Sequence, residues 1–289
     1  MKAIATENRA EILIQALPYI QQLNNKVVVV KYGGNAMIKP DLIDATVSDL
    51  VLLSLSGVKI VVVHGGGPFI NETLDKLGIQ SQFIDGLRYT SAEVAEIVQM
   101  VLAGKVGKDL VNQIQERKGR ALGICGLDGD LFVAKRLQNK GKDYGFVGDI
   151  VEVNTHLVKV ALEHGYIPVI SSLAASKNPD EKVLNINADI AASKLAAALG
   201  ASKLILLTDV KGLLADKTDE NTLISTLKVS EISRLKKAGV ISSGMIPKID
   251  CCVEAIRRGV ERAHIIDGRI PHSMLIEMLS DEGIGTMIY

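Results

Sequence analysis

Short runs of branched apolar residues recur along the chain from Val27 onward, each too brief to make a helix. Val27–Val30, Ile60–Val63, Ile167–Ile170 and Leu204–Leu207 carry no alternating polar residue, and His264–Ile266 is of the same type. A continuous apolar run of this length reads as a strand buried on both faces. Several are preceded by helical stretches that stop at Gly57, Gly165, Gly200 and Gly259. Glycine takes the left-handed conformation that ends a helix, and a strand follows within a few residues. Thr90-Ser91-Ala92-Glu93 predicts a capping box that opens a helix through Leu102. Strands alternating with helices predict an α/β fold, a three-layer αβα sandwich around an open and mainly parallel sheet.

Two stretches break that rhythm. Before the first strand, Ile12, Leu13, Ala16, Leu17 and Ile20 recur at helical spacing within Thr6–Leu23, with Glu7, Arg9, Glu11 and Gln15 opposite them. This segment is an extension outside the sheet, and Pro18 within it should kink the helix. In the middle, Arg120 to Asn154, the runs Leu131–Ala134 and Phe146–Ile150 alternate. They predict antiparallel hairpins laid over the parallel scaffold, and Asn178-Pro179-Asp180 predicts a turn. With no repeat or flexible linker, two lobes would share one sheet. The boundaries are then an extension at 1–24 and one domain at 25–289, divided into lobes of about 25–190 and about 191–289.

Composition narrows the class of partner. Apolar residues make up 47% of the 289 and charged residues 23%, enough for a large core. The formal net charge is zero and the basic residues are scattered, so no global field holds a nucleic acid or a membrane surface. No apolar stretch approaches the roughly 20 residues of a membrane span, and the N-terminus has no apolar secretory run. Cys125 and the pair Cys251-Cys252 form neither a disulfide framework nor a zinc spacing. Cys251 and Cys252 lie among Ile249, Val253 and Ile256 at helical spacing, as small core hydrophobes would, and imply a reducing compartment.

The candidate chemistry lies where strands end, the place where open parallel sheets gather ligands. Lys31-Tyr32-Gly33-Gly34 follows the first strand. A cation beside two glycines can meet a phosphate, though alone it reads equally well as a snorkelling lysine and an ordinary turn. His64-Gly65-Gly66-Gly67-Pro68 follows the second strand and enters a helix. Its glycines expose N–H groups at a positive helix end, and His64 itself reads as a hydrogen-bonded structural residue. Asn185-Ile186-Asn187-Ala188-Asp189 precedes a helix and holds more polar groups than one cap requires. Thr208-Asp209-Val210-Lys211-Gly212 follows a strand, and Gly244-Met245-Ile246-Pro247-Lys248 enters a helix. Lys248 stands at a helix start, where the dipole disfavours a cation, so an anion is the better reason for it.

Together with Gly86-Leu87-Arg88-Tyr89-Thr90, these segments resemble the amino acid kinase family over essentially all of Val27 to Ile288. Related aspartate, glutamate and carbamate kinases share the first glycine-rich turns. The Gly-Leu-Arg-Tyr-Thr and Asn-Ile-Asn-Ala-Asp segments select the branch that acts on N-acetyl-L-glutamate. The resemblance implies transfer of the γ-phosphate of ATP to that substrate's side-chain carboxylate, in arginine biosynthesis. A carboxylate is ionised at neutral pH, so such a transfer needs no general base. Lys31 and Lys248 would stabilise the transferring phosphoryl group with Gly34 and Gly67 N–H groups, and Asp189 would orient both lysines. Arg88 would hold the α-carboxylate, with Gly66, Gly67 and Asn185 completing that pocket. Gly33, Gly34, Thr208, Asp209, Lys211, Gly212, Gly244 and Met245 would line the phosphates and nucleotide, with Mg2+ arriving on the nucleotide and no protein metal site. The lobe at 25–190 would be the substrate lobe and that at 191–289 the nucleotide lobe.

The N-terminal helix resembles the extension of arginine-inhibited, hexameric members, in which dimers interlace as a trimer of dimers. Tyr19, Lys211, His264, Glu277 and Gly283 match the pattern that holds L-arginine in those members. Likeness to cyanobacterial and algal plastid members raises the signal protein PII as a partner, and the cytoplasm or a plastid stroma as the compartment. Another small-metabolite kinase of the family and a non-catalytic amino-acid sensor are the alternatives. Retention of both lysines with Asp189 speaks against the sensor.

Overall fold

The computed structural model describes residues 6–139, 141–181, 183–242 and 244–289. The chain opens with α1 (Thr6–Leu23), then β1 (Val27–Tyr32), α2 (Pro40–Leu55), β2 (Lys59–His64) and α3 (Gly67–Lys76). A small hairpin follows, β3 (Phe83–Ile84) and β4 (Leu87–Arg88). Next come α4 (Ala92–Gln99), a π-helical stretch (Met100–Val106), α5 (Gly107–Glu116) and β5 (Ala121–Cys125). The middle holds β6 (Phe132–Asn139), β7 (Lys142–Val153), α6 (His156–Glu163), β8 (Ile167–Ser171), β9 (Leu173–Ser176) and β10 (Val183–Asn185). The last part holds α7 (Ala188–Leu199), β11 (Lys203–Thr208), β12 (Thr226–Leu227), α8 (Ile232–Lys237), α9 (Ile246–Arg257), β13 (Arg262–Asp267), α10 (Ser273–Leu279) and β14 (Thr286–Ile288).

Eight strands make one sheet in the order β12-β14-β13-β11-β1-β2-β8-β5, parallel throughout except between β13 and β14. Helices cover both faces, which is why the strands read as unbroken apolar runs. Val28, Val30, Ile60, Val62 and Val169 pack on one side with residues of α2, α3, α4, α5 and α10. Val29, Val61, Val63, Ile170, Leu204 and Leu206 pack on the other with residues of α6, α7, α8 and α9. Each such buried side chain contributes about 1.5–3 kcal/mol of transfer free energy. The four glycines expected to stop helices all take positive φ, from 62° at Gly200 to 106° at Gly259. Cys251 and Cys252 are buried in α9 and, like Cys125, are free thiols.

Three expectations change in detail. The helix after Thr90 does not stop at Leu102: α4 passes through the π stretch into α5 and ends at Glu116. Its cap is Ser91, whose Oγ accepts from the Val94 N–H at 3.2 Å, because the Thr90 hydroxyl is bound elsewhere. Residues 121–125 lie outside the hairpin region; they pair in parallel with β8 and form an edge of the main sheet. The antiparallel hairpin begins only at Phe132, where β6 and β7 pair and join β9 and β10 in a small closed barrel beside the main sheet. Helix α1 runs unbroken through Pro18 by its backbone pattern, with Leu23 buried but Ile12, Leu13 and Leu17 exposed. Among the described residues no helix is long and apolar enough to cross a membrane.

Candidate active site

The carboxyl ends of β1, β2 and β11 and the starts of α3, α7 and α9 meet around two adjoining cavities. The larger, about 600 Å³, is lined by Lys31, Gly34, Gly66, Gly67, Arg88, Asn185, Asp189, Asp209 and Lys248, among others. The second, about 420 Å³, is lined by Asp209, Lys211, Gly212, Gly244, Met245 and Lys248, with Lys217 and Arg269. Asp209 and Lys248 belong to both walls, so the cavities adjoin at a charged junction.

Asp189 organises that junction. Lys31 Nζ lies 3.0 Å from its Oδ1 and Lys248 Nζ 2.9 Å from its Oδ2. Burial by itself would raise the Asp189 pKa, but the two ammonium groups outweigh it and hold the carboxyl at about 2. Local structure fixes the three side chains. Lys31 is next to last in β1, Asp189 occupies the first turn of α7 where the helix dipole favours an anion, and Lys248 is in the first turn of α9. Asn187 is the cap of α7; its Oδ1 accepts from the N–H groups of Asp189 and Ile190 at 2.9 and 3.2 Å.

The glycine turns are constrained by space as well as by conformation. Gly34 has φ of 69°, and a Cβ there would lie 2.6 Å from Asp209 Oδ2. Asp209 in turn accepts from the Asn35 N–H at 2.9 Å, which pins the first turn across the sheet. Gly67 opens α3 with Pro68 in its first turn, and this helix start lines the larger cavity, where its positive end suits an anion.

Opposite the lysines, Arg88 is buried at 8% exposure. Nη1 donates to Ser81 Oγ at 2.6 Å, and Nη2 donates to Asn71 Oδ1 at 2.6 Å. Burial lowers the guanidinium pKa. Thr90 Oγ1 donates to the Arg88 carbonyl at 2.9 Å and accepts from Asn185 Nδ2 at 3.1 Å, so one hydroxyl ties Arg88 and Asn185 together. Asn71, Ser81, Lys217 and Arg269 were not singled out from sequence, and Thr90 was read there as a helix cap and as part of a motif, without this bridging contact. Arg269 alone had a signal, its position just past a strand end; the others are ordinary polar residues until the fold brings them in.

Other expected site residues fall differently. Gly33 lines the larger cavity, whereas Thr208 lines neither, being 4% exposed and hydrogen-bonded beneath the turn to Val210 and Ile266. His64 is fully buried; its Nδ1 donates to Gly65 O at 2.9 Å, and burial drives its pKa down to about 4. That is a structural histidine, as read from sequence. His264 Nδ1 lies 2.7 Å from Glu277 Oε1, and Glu277 Oε2 accepts from the Ile284 and Gly285 N–H groups, beside Gly283. Tyr19 reaches the same region through a side-chain hydrogen bond with Asp281. Lys211 instead lines the second cavity, paired with Glu220 at 2.5 Å, while Lys203 Nζ lies 3.3 Å from His264 Nε2.

Comparison with known proteins gives a consistent result. The amino acid kinase family model matches residues 26–267. The chain is 54% identical to the acetylglutamate kinase of Clostridium beijerinckii, with 97% of this chain and 98% of that one covered. It is 51% identical to the acetylglutamate kinase of Prochlorococcus marinus, covering 97% and 91%. An N-acetylglutamate synthase from Neisseria gonorrhoeae, solved with coenzyme A and N-acetyl-glutamate, superposes with a TM-score of 0.84 at 26% identity. That match takes in 96% of this chain, which spans only 63% of the synthase chain. The chain belongs to the amino acid kinase family, on the branch whose curated members are acetylglutamate kinases.

Proposed function

We propose that this protein transfers the γ-phosphate of ATP to the side-chain carboxylate of N-acetyl-L-glutamate, in arginine biosynthesis. The observation that carries the reading is the Lys31–Asp189–Lys248 arrangement at the junction of the two cavities. One cavity suits a small dicarboxylate and the other a nucleotide, and two cations stand where their anionic ends would meet. The names of the relatives and the N-acetyl-glutamate bound by the Neisseria synthase support the same substrate.

The acceptor carboxylate is already ionised at neutral pH, so alignment and charge absorption are what the protein must supply. Arg88 holds the α-carboxylate, with Asn185 and the N–H groups of Gly66 and Gly67 completing the substrate pocket. Lys31 approaches from the substrate lobe and Lys248 from the nucleotide lobe. Both neutralise charge that builds on the transferring phosphoryl group, helped by the N–H groups of Gly34 and Gly67. Asp189 keeps the two ammonium groups apart in fixed positions. Mg2+ is read as arriving with the nucleotide phosphates, whose oxygens are its usual ligands.

A coupled ATP assay with N-acetylglutamate, glutamate, aspartate and carbamate side by side tests this. Preference for N-acetylglutamate supports it. Preference for another acceptor would make the protein a different small-metabolite kinase, and binding without turnover would make it a sensor. A regulatory reading rests on the contact between α1 and the α10–β14 region: arginine held near His264, Glu277, Gly283 and Tyr19 would sense the placement of α1. Lys211 does not belong to that cluster by position.

A further inference from the structure

Arg88 is a buried cation whose partners are all neutral. Ser81 Oγ and Asn71 Oδ1 take its two short hydrogen bonds, Gly67 O accepts a longer one at 3.4 Å, and the guanidinium carbon lies 4.9 Å from the Phe83 ring centroid. Ser81 Oγ also donates to Asn71 Oδ1 at 3.1 Å, which fixes both acceptors. Among the described residues no carboxylate lies within ion-pair distance of Arg88. Lys31 and Lys248 differ in this respect, since both are paired with Asp189. We propose that Asn71 and Ser81 are positioning residues that hold Arg88 with neutral oxygens, leaving its charge uncancelled for the α-carboxylate of the substrate.

The proposal rests on the reading of Arg88 as the carboxylate anchor. A carboxylate in place of Asn71 would satisfy the same N–H groups, but it would also neutralise the guanidinium and compete with the arriving anion. A neutral amide fixes direction without that competition. The arrangement also joins the two halves of the substrate pocket. Asn71 lies on α3, the helix that begins at Gly67, so the anion-binding turn and the guanidinium are set by one rigid element.

Steady-state kinetics of Asn71→Ala, Asn71→Asp and Ser81→Ala, with Arg88→Lys as reference and a melting temperature for each, test the idea. Asn71→Ala should raise KM for N-acetylglutamate about tenfold, the scale of one lost charge-assisted hydrogen bond, with KM for ATP changed less than about twofold. Ser81→Ala should act in the same direction. Asn71→Asp should raise KM for N-acetylglutamate further than Asn71→Ala, even if it melts at a higher temperature. A merely structural role gives the opposite order, because aspartate keeps an acceptor of the same size. An Asn71→Asp variant with KM at or below that of Asn71→Ala overturns the proposal. If Asn71→Ala melts too low to assay, an unchanged KM in Ser81→Ala overturns it instead. If Arg88→Lys itself leaves KM for N-acetylglutamate unchanged, the anchor assignment fails. If it raises KM while the Asn71 and Ser81 variants do not, only the present inference falls.

Discussion

Asp189 with its two lysines was legible in the sequence because each residue stands where local structure begins or ends: near the end of a strand, or at a helix start. Lys31→Ala and Lys248→Ala should each lower kcat by about 10² or more, the size expected for a lost electrostatic stabiliser, with smaller changes in substrate binding. A near-normal kcat in either variant would make that lysine structural. Arg88→Lys should chiefly raise KM for N-acetylglutamate, because a point charge does not reproduce a guanidinium fork. A defect confined to KM for ATP would move Arg88 to the other lobe. Asn71, Ser81 and the contact of Thr90 with Asn185 were not legible, since nothing local marks a hydroxyl or amide whose partner comes from a distant segment. His64 gives a test by pH. Its ring stays neutral in the folded chain down to about pH 4, whereas an unfolded imidazole protonates near 6.5. Between those values the unfolded chain binds the extra proton. The contribution of a neutral His64 is therefore complete above about pH 6.5 and declines as the pH falls toward 4. Going from about pH 7 to about pH 5, the parent should lose about 2 kcal/mol more stability than His64→Asn by urea unfolding. The comparison cancels Asp49 and His264, whose shifted groups remain in both proteins. Equal losses in the two proteins would show that His64 does not titrate as described.

The elements that the pattern announced were those with both faces buried. Runs such as Val27–Val30 and Leu204–Leu207 have no competing reading, and β1, β2, β8, β11 and β13 lie where they were expected. Ala121–Cys125 escaped because it is an edge strand with a glycine at its centre and Leu122 exposed, so its pattern blends into the alternating region after it. The helix after Thr90 was read too short because the π stretch shifts the apolar period. Gly107 lies at the end of that stretch, where a Cβ would come within 3.2 Å of His64 Nε2. A glycine here serves close packing of helix on sheet and does not stop the helix. Ser91 is the measurable cap: Ser91→Ala should cost about 1 kcal/mol in urea unfolding, while Thr90→Ala should instead raise KM for N-acetylglutamate through Asn185 and Arg88. The reverse pattern would return the cap to Thr90.

At the scale of the whole molecule, α1 carries exposed Ile12, Leu13 and Leu17 and none of the proposed catalytic residues. An apolar helix face outside the sheet calls for a partner surface. On the reading that α1 interlaces dimers into an arginine-inhibited hexamer, deleting residues 1–24 should leave turnover largely intact while reducing the assembly to dimers and weakening inhibition by arginine, as read by light scattering and arginine titration. A truncated protein that stays hexameric with unchanged sensitivity would leave α1 as a surface element and the kinase reading untouched. The position of β1 has a consequence of another kind. It leaves the ribosome before either of its neighbours, and in the finished sheet Val28 is flanked by Ile60 on one side and Lys203 on the other. One edge of β1 therefore stays open until more than half the chain has been synthesised, and closing it requires one of the longest-range pairings in the fold. Refolding should be slow and sensitive to protein concentration. Nascent chains halted before β11 should aggregate through that open edge, whereas chains halted beyond it should not.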